Sequence, residues 1–298
     1  MRFIITGSSG FVGQNLLAYL KTADIATIDR KQLQSITAEQ LNGTHTIVHL
    51  AGKAHDLKKT SNPEEYYQVN YELTKKLYDA FLASDATKFI FISSVKAAAD
   101  TVDGVLTEEY EPNPITDYGK SKLMAEQHIQ GQALPEGKMY YILRPCMIHG
   151  PGNKGNLNLL YQFVQKGIPY PLAAFENKRS FLSVENLCFI IKQLVEKNVN
   201  SGVYNVADDK ALSTNSVVGI LAQSSKQKAK LWKISSRLIK ALAKVGDILK
   251  LPLNSERLQK LTESYVVSNS KIKNALNVEL PLDTIEGLAI TAESFNSK

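Results

Sequence analysis

Residues 2–17 read RFIITGSSGFVGQNLL: a short apolar run, a glycine-rich turn and the start of an amphipathic segment. The run RFIIT predicts a buried strand, and FVGQNLLAYLKTA predicts a helix. Gly7, Gly10 and Gly13 lie between them, and glycine permits a tight turn and close backbone approach. The N-terminus of such a helix offers free N–H groups and a positive dipole end to a pyrophosphate. The stretch therefore predicts a dinucleotide-binding strand–turn–helix unit, although ordinary strand–helix turns also use glycine.

The same alternation of strands and helices continues through the first half of the chain. Further strands are predicted in IATID, TIVHLAG, KFIFISS and MYYILRP, and helices in PEEYYQVNYELTKKLYDAFLAS and YGKSKLMAEQHIQGQ. Alternating strands and helices indicate parallel pairing, so we predict an α/β fold with a Rossmann-like doubly wound parallel sheet. The region from Asp29 to Thr46 is short for a strand plus a helix, which predicts a trimmed crossover.

The pattern changes after Gly150, where turn-rich stretches separate further helices. The helix predicted in SVENLCFIIKQLVEK can return to the sheet. We therefore predict an NAD(P)-binding Rossmann domain from residues 1–150 and 180–200. Residues 151–179 and 201–298 are predicted to form a smaller C-terminal α/β substrate lobe.

The bulk composition limits the classes of protein to consider. The chain has 298 residues, a net charge of +6 and 44% hydrophobic residues, enough for one large core or a core with a smaller lobe. No apolar run of about 18 residues occurs, so we expect no stable membrane insertion. Cys146 and Cys188 are the only cysteines, which fits a reducing compartment, and we predict a cytoplasmic protein. The basic balance suits an anionic small molecule, a lipid surface or nucleic acid and does not choose between them.

A tyrosine, a lysine and a serine form the candidate catalytic set. Tyr118 and Lys122 are four residues apart in a predicted helix, so they share one face. A nearby ammonium favours the phenolate and lowers the pKa of the tyrosine, and a positively charged nicotinamide acts in the same direction. Ser94 ends a parallel strand, at the edge where open sheets bind ligands. The tyrosine is then predicted to move a proton of a sugar hydroxyl while hydride moves to or from a cofactor, although Tyr-x-x-x-Lys pairs also arise by chance.

The end of the second strand bears on the choice of cofactor. The Asp29 carboxylate can accept both ribose hydroxyls of an adenosine, which favours NAD. Arg30 follows and would meet a 2′-phosphate, so NADP stays possible. Alternatively, Asp29 and Arg30 are two solvent-exposed turn residues that do not bind a cofactor.

The stretch from Ser225 onward, SKQKAKLWKISSRLIKALAKVGDILKLPL, is lysine-rich and partly amphipathic. It is compatible with a helix lying on an anionic membrane. A helix of the substrate lobe with a solvated lysine face is the simpler alternative. No recognised motif accompanies the charge, so we do not expect nucleic-acid binding.

Five pieces of the sequence, in order, resemble the extended short-chain dehydrogenases/reductases: TGSSGFVG, HLAGKAHD, FISSVK, YGKSK and LRPCMIHGPG. Three later pieces are similar to the bacterial nucleotide-sugar 4-epimerases and 4-keto-sugar reductases of surface-polysaccharide synthesis, a branch of the NAD-dependent epimerase/dehydratase family: GPGNKGN, NKRSFLSVENL and NVADDKALST. Together they span nearly the whole chain. The resemblance implies a nucleotide-sugar substrate and a homodimer paired through the helix carrying Tyr118 and its neighbour.

The resemblance and the turn together assign candidate binding residues. Those for the cofactor are Gly7, Gly10, Phe11, Val12, Gly13, Asp29, Arg30, Leu50, Ala51, Gly52, Tyr118, Lys122 and Pro145. Those for the substrate are Ser94, Asn156, Leu157 and Arg179, with Asn156 and Leu157 on the diphosphate and Arg179 on a phosphate. No metal site is predicted.

Three further places in the sequence bear on the chemistry that the resemblance implies. Val95 and Lys96 stand where related 4,6-dehydratases carry an Asp-Glu pair, which argues against dehydration. His149 replaces a tyrosine, either as an extra titratable group near the sugar or as a packed loop histidine. Cys146 is expected to be an inert small residue.

The sequence thus predicts an NAD-dependent 4-epimerase of a UDP-hexose or UDP-N-acetylhexosamine, with Ser94, Tyr118 and Lys122 as its site. An NAD(P)H-dependent reductase of a UDP-4-keto-6-deoxy sugar would use the same residues. A non-catalytic dinucleotide-binding module is a third alternative.

Overall fold

The computed structural model describes residues 2–21, 24–54, 62–153, 155–250 and 254–296. Their strands are β1 (Arg2–Thr6), β2 (Asp24–Ile28), β3 (Thr46–His49), β4 (Lys88–Ile92), β5 (Val105–Leu106), β6 (Met139–Pro145), β7 (Met147–His149), β8 (Phe181–Ser183), β9 (Gly202–Val206) and β10 (Val266–Val267). Their α-helices are α1 (Phe11–Tyr19), α2 (Arg30–Leu33), α3 (Pro63–Tyr66), α4 (Leu73–Ala83), α5 (Asp117–Gly131), α6 (Asn156–Gln165), α7 (Val184–Glu196), α8 (Thr214–Ser224), α9 (Ser236–Leu249), α10 (Ser255–Thr262), α11 (Ser270–Leu276) and α12 (Thr284–Asn296).

Six parallel strands form the central sheet in the order β2-β1-β3-β4-β6-β9. The residues of β3 and β4 are buried throughout, as expected for strands covered by helices on both faces. The chain leaves β1 toward β2 and returns on the other side of β1 to form β3. The strand order therefore reverses between β1 and β3, which is where open α/β sheets bind ligands. The predicted Rossmann-like doubly wound sheet is confirmed.

Buried apolar residues form three clusters. One contains Leu16, Val184 and Ile191, from the helices α1 and α7 on one face of the sheet. A second contains residues of α4 and α5 on the other face. The third belongs to the C-terminal half and joins α6, α8, α9, α10 and α12. This third core supports a separate substrate lobe, as we propose from the sequence.

The strand β9 lies at the edge of the central sheet, paired with β6. The sequence-based division placed residues 201–298 in the lobe, because the run VYNVAD follows the last helix predicted to return to the sheet. We therefore propose a boundary after β9 rather than before it. Two small parallel pairs, β7 with β8 and β5 with β10, connect the sheet region to the second half of the chain.

The helix predicted over residues 63–84 is interrupted. A π-helical segment, Tyr67–Glu72, separates α3 from α4 and places Asn70 in the interior. The predicted trimmed crossover after β2 consists of the four-residue helix α2 and a 3₁₀ turn at Glu39–Leu41. Among the described residues, no helix combines the length and the apolar character needed to cross a membrane.

Candidate active site

The glycine turn lies against the loop that follows β3. Gly7 has φ of 70°, and a Cβ there would lie 2.6 Å from the Ala51 nitrogen. A Cβ at Gly13 would lie 2.4 Å from the Gly7 carbonyl oxygen. Both positions therefore require glycine, because a side chain would push the turn apart. At Gly10 an added Cβ would meet only the Gly7 oxygen, at 3.3 Å, so the outer side of the turn is open.

Helix α1 begins directly after Gly10, and no side chain caps its N-terminus. The first-turn N–H groups of Phe11 and Val12 are therefore available to a pyrophosphate, which the helix dipole also favours. The open turn and the uncapped helix fit a dinucleotide at the predicted place.

A buried histidine supports this turn from behind. His49 Nδ1 is 2.7 Å from Thr6 Oγ1, and its Nε2 is 2.9 Å from Thr74 Oγ1. The Ala51 N–H donates to the same Thr6 oxygen at 3.1 Å. Burial, together with the charge of Lys122, lowers the pKa of His49 to about 3, so this imidazole is neutral at any ordinary pH. This role was not predicted, because it depends on two contacts between residues far apart in the chain.

Asp29 is exposed at the end of β2 and caps helix α2. Its Oδ1 accepts from the Gln32 N–H at 2.8 Å, and the Gln32 side chain accepts from the Asp29 N–H at 2.9 Å. This capping box fixes the carboxylate at the carboxyl end of β2, the strand next to β1. Its second oxygen takes no part in the cap, and the neighbouring Arg30 is exposed as well.

Ser94 and Tyr118 are brought together at the carboxyl end of β4. Their side chains are hydrogen-bonded to each other, and the Tyr66 ring contacts the Tyr118 ring edge-on at 6.1 Å between centroids. Ser94 Oγ also accepts from the Lys96 N–H at 3.2 Å. The predicted convergence of the serine and the tyrosine is thus present in the structure.

Gly119 allows this contact. A Cβ there would lie 2.4 Å from the Lys96 carbonyl oxygen, so only glycine lets α5 approach the loop after β4 so closely. Thr116 caps the helix by accepting from the Gly119 N–H at 3.2 Å, and Asp100 accepts from the Thr116 N–H at 3.1 Å. The start of α5 is therefore tied to the loop that carries Ser94.

Lys122 occupies the space between the ends of β3 and β4. Its Nζ donates to the Ile92 carbonyl at 2.9 Å and lies 4.8 Å from the centre of the Phe91 ring. A Cβ at Gly52 would lie 3.1 Å from this Nζ. Burial lowers the pKa of Lys122 to about 8, and the Glu126 carboxylate opposes this shift.

The expected pKa of Tyr118 is corrected by the structure. The sequence predicted that Lys122 lowers it, but burial raises the pKa of Tyr118, and only the hydrogen bond from Ser94 lowers it. Tyr66 contributes in the raising direction. The physical reason is that a phenolate loses its hydration at this partly buried position, while the Lys122 ammonium is directed at the Ile92 carbonyl.

A buried ion pair beneath the site was not predicted. Glu126, one turn after Lys122, accepts from Arg144 Nη2 at 2.5 Å and from Arg144 Nε at 3.0 Å. Ser93 Oγ donates to the same carboxylate. Both charged side chains are at most 4% exposed. The pair joins α5 to β6, and its only sequence signal is an arginine inside the apolar run MYYILRP, which requires a partner.

Asn70 is another supporting residue that was not predicted from the sequence. From the π-helical segment it accepts from the Lys53 N–H at 2.7 Å and donates to Ser121 Oγ at 3.1 Å. It therefore connects the loop after β3 to helix α5, one residue before Lys122.

Apart from Ser94, the predicted substrate residues lie in the C-terminal half of the chain. Leu157 is buried in the first turn of α6, whose N-terminus has no side-chain cap. Asn156 begins this helix, and its side chain lies outside the described part of the structure. Arg179 Nε donates to the Glu263 carbonyl at 3.1 Å, and Arg179 Nη2 also donates to a main-chain carbonyl, that of Lys260. Its role at a phosphate stays a prediction.

Lys96, His149 and Cys146 have structural roles. Lys96 Nζ donates to the Asp100 carbonyl at 2.7 Å and stacks over the Tyr265 ring at 4.3 Å. His149 is buried, with Nδ1 2.8 Å from Thr291 Oγ1, and is therefore a packed histidine. Burial raises the pKa of the Cys146 thiol well above its usual value, which agrees with the expected inert residue. Pro145 ends β6, beside this thiol.

Comparison with known proteins agrees with this arrangement. The family described as the NAD dependent epimerase/dehydratase family matches residues 3–207. The chain belongs to this family. The prediction of an NAD-dependent enzyme of the epimerase or reductase type is confirmed at this level, with NAD as the cofactor of the family.

Individual proteins of known type are similar to this chain over most of its length. A UDP-glucose 4-epimerase of Vibrio cholerae is 30% identical over 98% of this chain and 94% of its own length. An N-acetyl-α-D-glucosaminyl-diphospho-ditrans,octacis-undecaprenol 4-epimerase of Escherichia coli O157:H7 is 30% identical over 76% of this chain and 72% of its own. The solved structure of a UDP-glucuronic acid 4-epimerase from Bacillus cereus with NAD has a TM-score of 0.77 at 17% identity, over 100% of this chain and 99% of the other.

Proposed function

We propose that this protein is an NAD-dependent 4-epimerase of a UDP-hexose or UDP-N-acetylhexosamine. The observation that carries the proposal is the hydrogen-bonded pair of Ser94 and Tyr118 at the carboxyl end of β4, with Lys122 beside it. The match to the Vibrio cholerae UDP-glucose 4-epimerase, which covers 98% of this chain and 94% of that protein, supports the reaction type. We also propose a cytoplasmic homodimer that serves surface-polysaccharide synthesis.

Three side chains share the work in this proposal. Bound NAD supplies the acceptor of the hydride and then its donor. Tyr118 takes the proton of the sugar 4-hydroxyl and later returns it, while Ser94 holds the same oxygen by a hydrogen bond. The positive charge of an oxidised nicotinamide and the Ser94 hydrogen bond both act against the raised pKa of Tyr118. Lys122 is fixed by the Ile92 carbonyl where it can bind the nicotinamide ribose.

The cofactor and the diphosphate have proposed positions as well. Gly7, Gly10, Gly13 and the N-terminus of α1 would hold the pyrophosphate of NAD, and Asp29 its adenosine ribose. The N-terminus of α6 and Arg179 would hold the substrate diphosphate, for which a planar, permanently charged guanidinium is suited.

A reductase of a UDP-4-keto-6-deoxy sugar is the second candidate. The raised pKa of Tyr118 favours it, because a protonated phenol is ready to donate to a keto oxygen as hydride arrives. Arg30 beside Asp29 leaves NADPH possible as its cofactor.

Turnover without added cofactor separates the two candidates. An epimerase interconverts UDP-N-acetylglucosamine or UDP-glucose with its 4-epimer using the dinucleotide it retains. A reductase turns over only after a UDP-4-keto-6-deoxy sugar and NADPH or NADH are added.

The change Tyr118→Phe tests the site itself. We expect turnover to fall by roughly 10²–10⁴-fold with dinucleotide binding retained, because only the proton-transferring hydroxyl is lost. The matched control is Tyr67→Phe. It removes a tyrosine hydroxyl of the π-helical segment that donates to Asp117, the first residue of α5, at 2.9 Å. Equal turnover of the two variants would contradict the assignment, and intact binding with no wild-type turnover of any sugar would support a non-catalytic module instead.

A further inference from the structure

The positive charge of the chain is concentrated in one segment. Residues 226–250, here called the basic segment, contain eight lysines or arginines and one aspartate, a net charge of +7. The whole chain has a net charge of +6, so the remainder is close to neutral. All eight basic side chains are exposed, and within the described residues none of them forms an ion pair.

Helix α9, inside the basic segment, exposes an apolar stripe to solvent. Its members follow each other at spacings of four, three and four residues, which places them on one side of the helix. They are Leu238, Leu242, Val245 and Leu249, with exposed fractions of 53%, 52%, 47% and 62%.

The apolar stripe is not the face that packs on the lobe. Ile239 and Ala243 make that contact and are at most 4% exposed. Arg237, Lys244 and Ile248 each precede a member of the stripe by one residue and lie together on an adjacent side of the helix. All three are exposed, Ile248 by 80%. Helix α9 thus packs on the lobe and exposes its lysines, as the simpler alternative expects, but that alternative does not account for the exposed apolar stripe.

The only tryptophan of the chain lies just before this helix. Trp232 is 57% exposed, and its neighbours Leu231 and Lys233 are exposed too. Tryptophan is enriched where an apolar phase meets water, because its ring is amphipathic.

We infer that the basic segment binds the surface of an anionic lipid membrane. The apolar stripe enters the boundary between headgroups and acyl chains, and the flanking cations contact anionic headgroups. A second copy of the chain is a poor occupant, because a symmetric contact would set two segments of charge +7 against each other. The inference does not depend on the proposed function, although it would bring the site to substrates held at a membrane.

Vesicle sedimentation with the full chain tests the inference. We expect binding to vesicles of equal phosphatidylglycerol and phosphatidylcholine at about 0.1 M NaCl, with weaker binding to phosphatidylcholine alone and at about 0.5 M NaCl. The emission of Trp232 shifts to shorter wavelength on binding. No sedimentation with the anionic vesicles at either salt concentration would overturn the inference.

Matched variants locate the contact. Leu242→Ser removes one member of the stripe and is expected to weaken binding severalfold, while Ile285→Ser, which changes a 48% exposed side chain on α12, leaves it unchanged. Lys244→Gln lowers binding roughly fivefold, the effect of one basic residue near an anionic surface, whereas Lys120→Gln on α5 does not.

Two results would argue against a membrane contact through the apolar stripe. Binding that is equal in Leu242→Ser and wild type excludes the stripe. A doubled mass in solution that Leu242→Ser abolishes assigns the stripe to a second copy. Turnover of a sugar nucleotide in vesicle-free solution stays unchanged in this variant, so failure of the membrane inference is distinguishable from failure of the proposed function.

Discussion

Replacing Lys122 by methionine should stabilise the folded protein while removing its function. Lys122 is 4% exposed, and burial lowers its pKa from 10.5 to about 8. At pH 7 both the folded and the unfolded chain carry the charged ammonium, but only the folded chain keeps it out of water. A shift of this size corresponds to a destabilisation of about 3 kcal/mol, which Lys122→Met relieves, less the lost hydrogen bond to Ile92, about 1 kcal/mol.

The sign of the pH dependence gives the sharper test. Between pH 8 and 10.5 the unfolded chain retains a proton on Lys122 that the folded chain has released. The contribution of Lys122 to the free energy of unfolding of the wild type therefore increases with pH in this range. The difference in free energy of unfolding between Lys122→Met and wild type should therefore decrease by about 2 kcal/mol between pH 7 and pH 9.5.

Urea denaturation without dinucleotide, at both pH values, measures this difference. Lys120→Met is the control, because this lysine lies on the exposed side of the same helix. A Lys122→Met protein that is less stable than wild type at pH 7, or whose difference from wild type does not change with pH, would refute the reasoning.

Three further predictions concern the surroundings of the site. Glu126→Gln leaves Arg144 charged and unpaired in the interior, so the free energy of unfolding measured in urea should fall by about 3–5 kcal/mol. The double change Glu126→Leu with Arg144→Met should recover most of this loss. A loss below about 1 kcal/mol in Glu126→Gln would contradict the reasoning. Gly119→Ala introduces a Cβ 2.4 Å from the Lys96 carbonyl, so kcat should fall about 100-fold through displacement of α5, and an unchanged kcat would show that the loop adapts. Asp29→Ala should lower the unfolding free energy by about 1 kcal/mol through loss of the cap and should weaken NAD binding in a fluorescence titration; intact NAD affinity would remove Asp29 from the site.

The architecture was predictable from the sequence because its strands are buried apolar runs bounded by turns. The run MYYILRP is the strand Met139–Pro145, and RFIIT is the strand Arg2–Thr6. Parallel pairing then follows from the helices between the strands. The same reasoning indicated Ser94 at a strand end and Tyr118 on the following helix, which the structure brings into contact.

The supporting contacts were not predictable, because each joins residues far apart in the chain. Glu126 and Arg144 belong to different elements, and nothing in the local pattern assigns one to the other. Asn70 faces the interior only because a π-helical segment interrupts a helix whose periodicity looks continuous. The raised pKa of Tyr118 follows from the degree of burial, which a spacing of four residues cannot report.

The π-helical segment Tyr67–Glu72 also separates the orientation of α3 from that of α4. A π turn holds one more residue than an α turn, so it rotates everything before it by about 100° relative to a regular helix. Tyr66 can thereby turn toward Tyr118 while Leu77 and Phe81 stay in the core under the sheet. Deleting a single residue from this segment would restore an uninterrupted helix and turn the Tyr66 ring away from Tyr118, while the core residues of α4 keep their places.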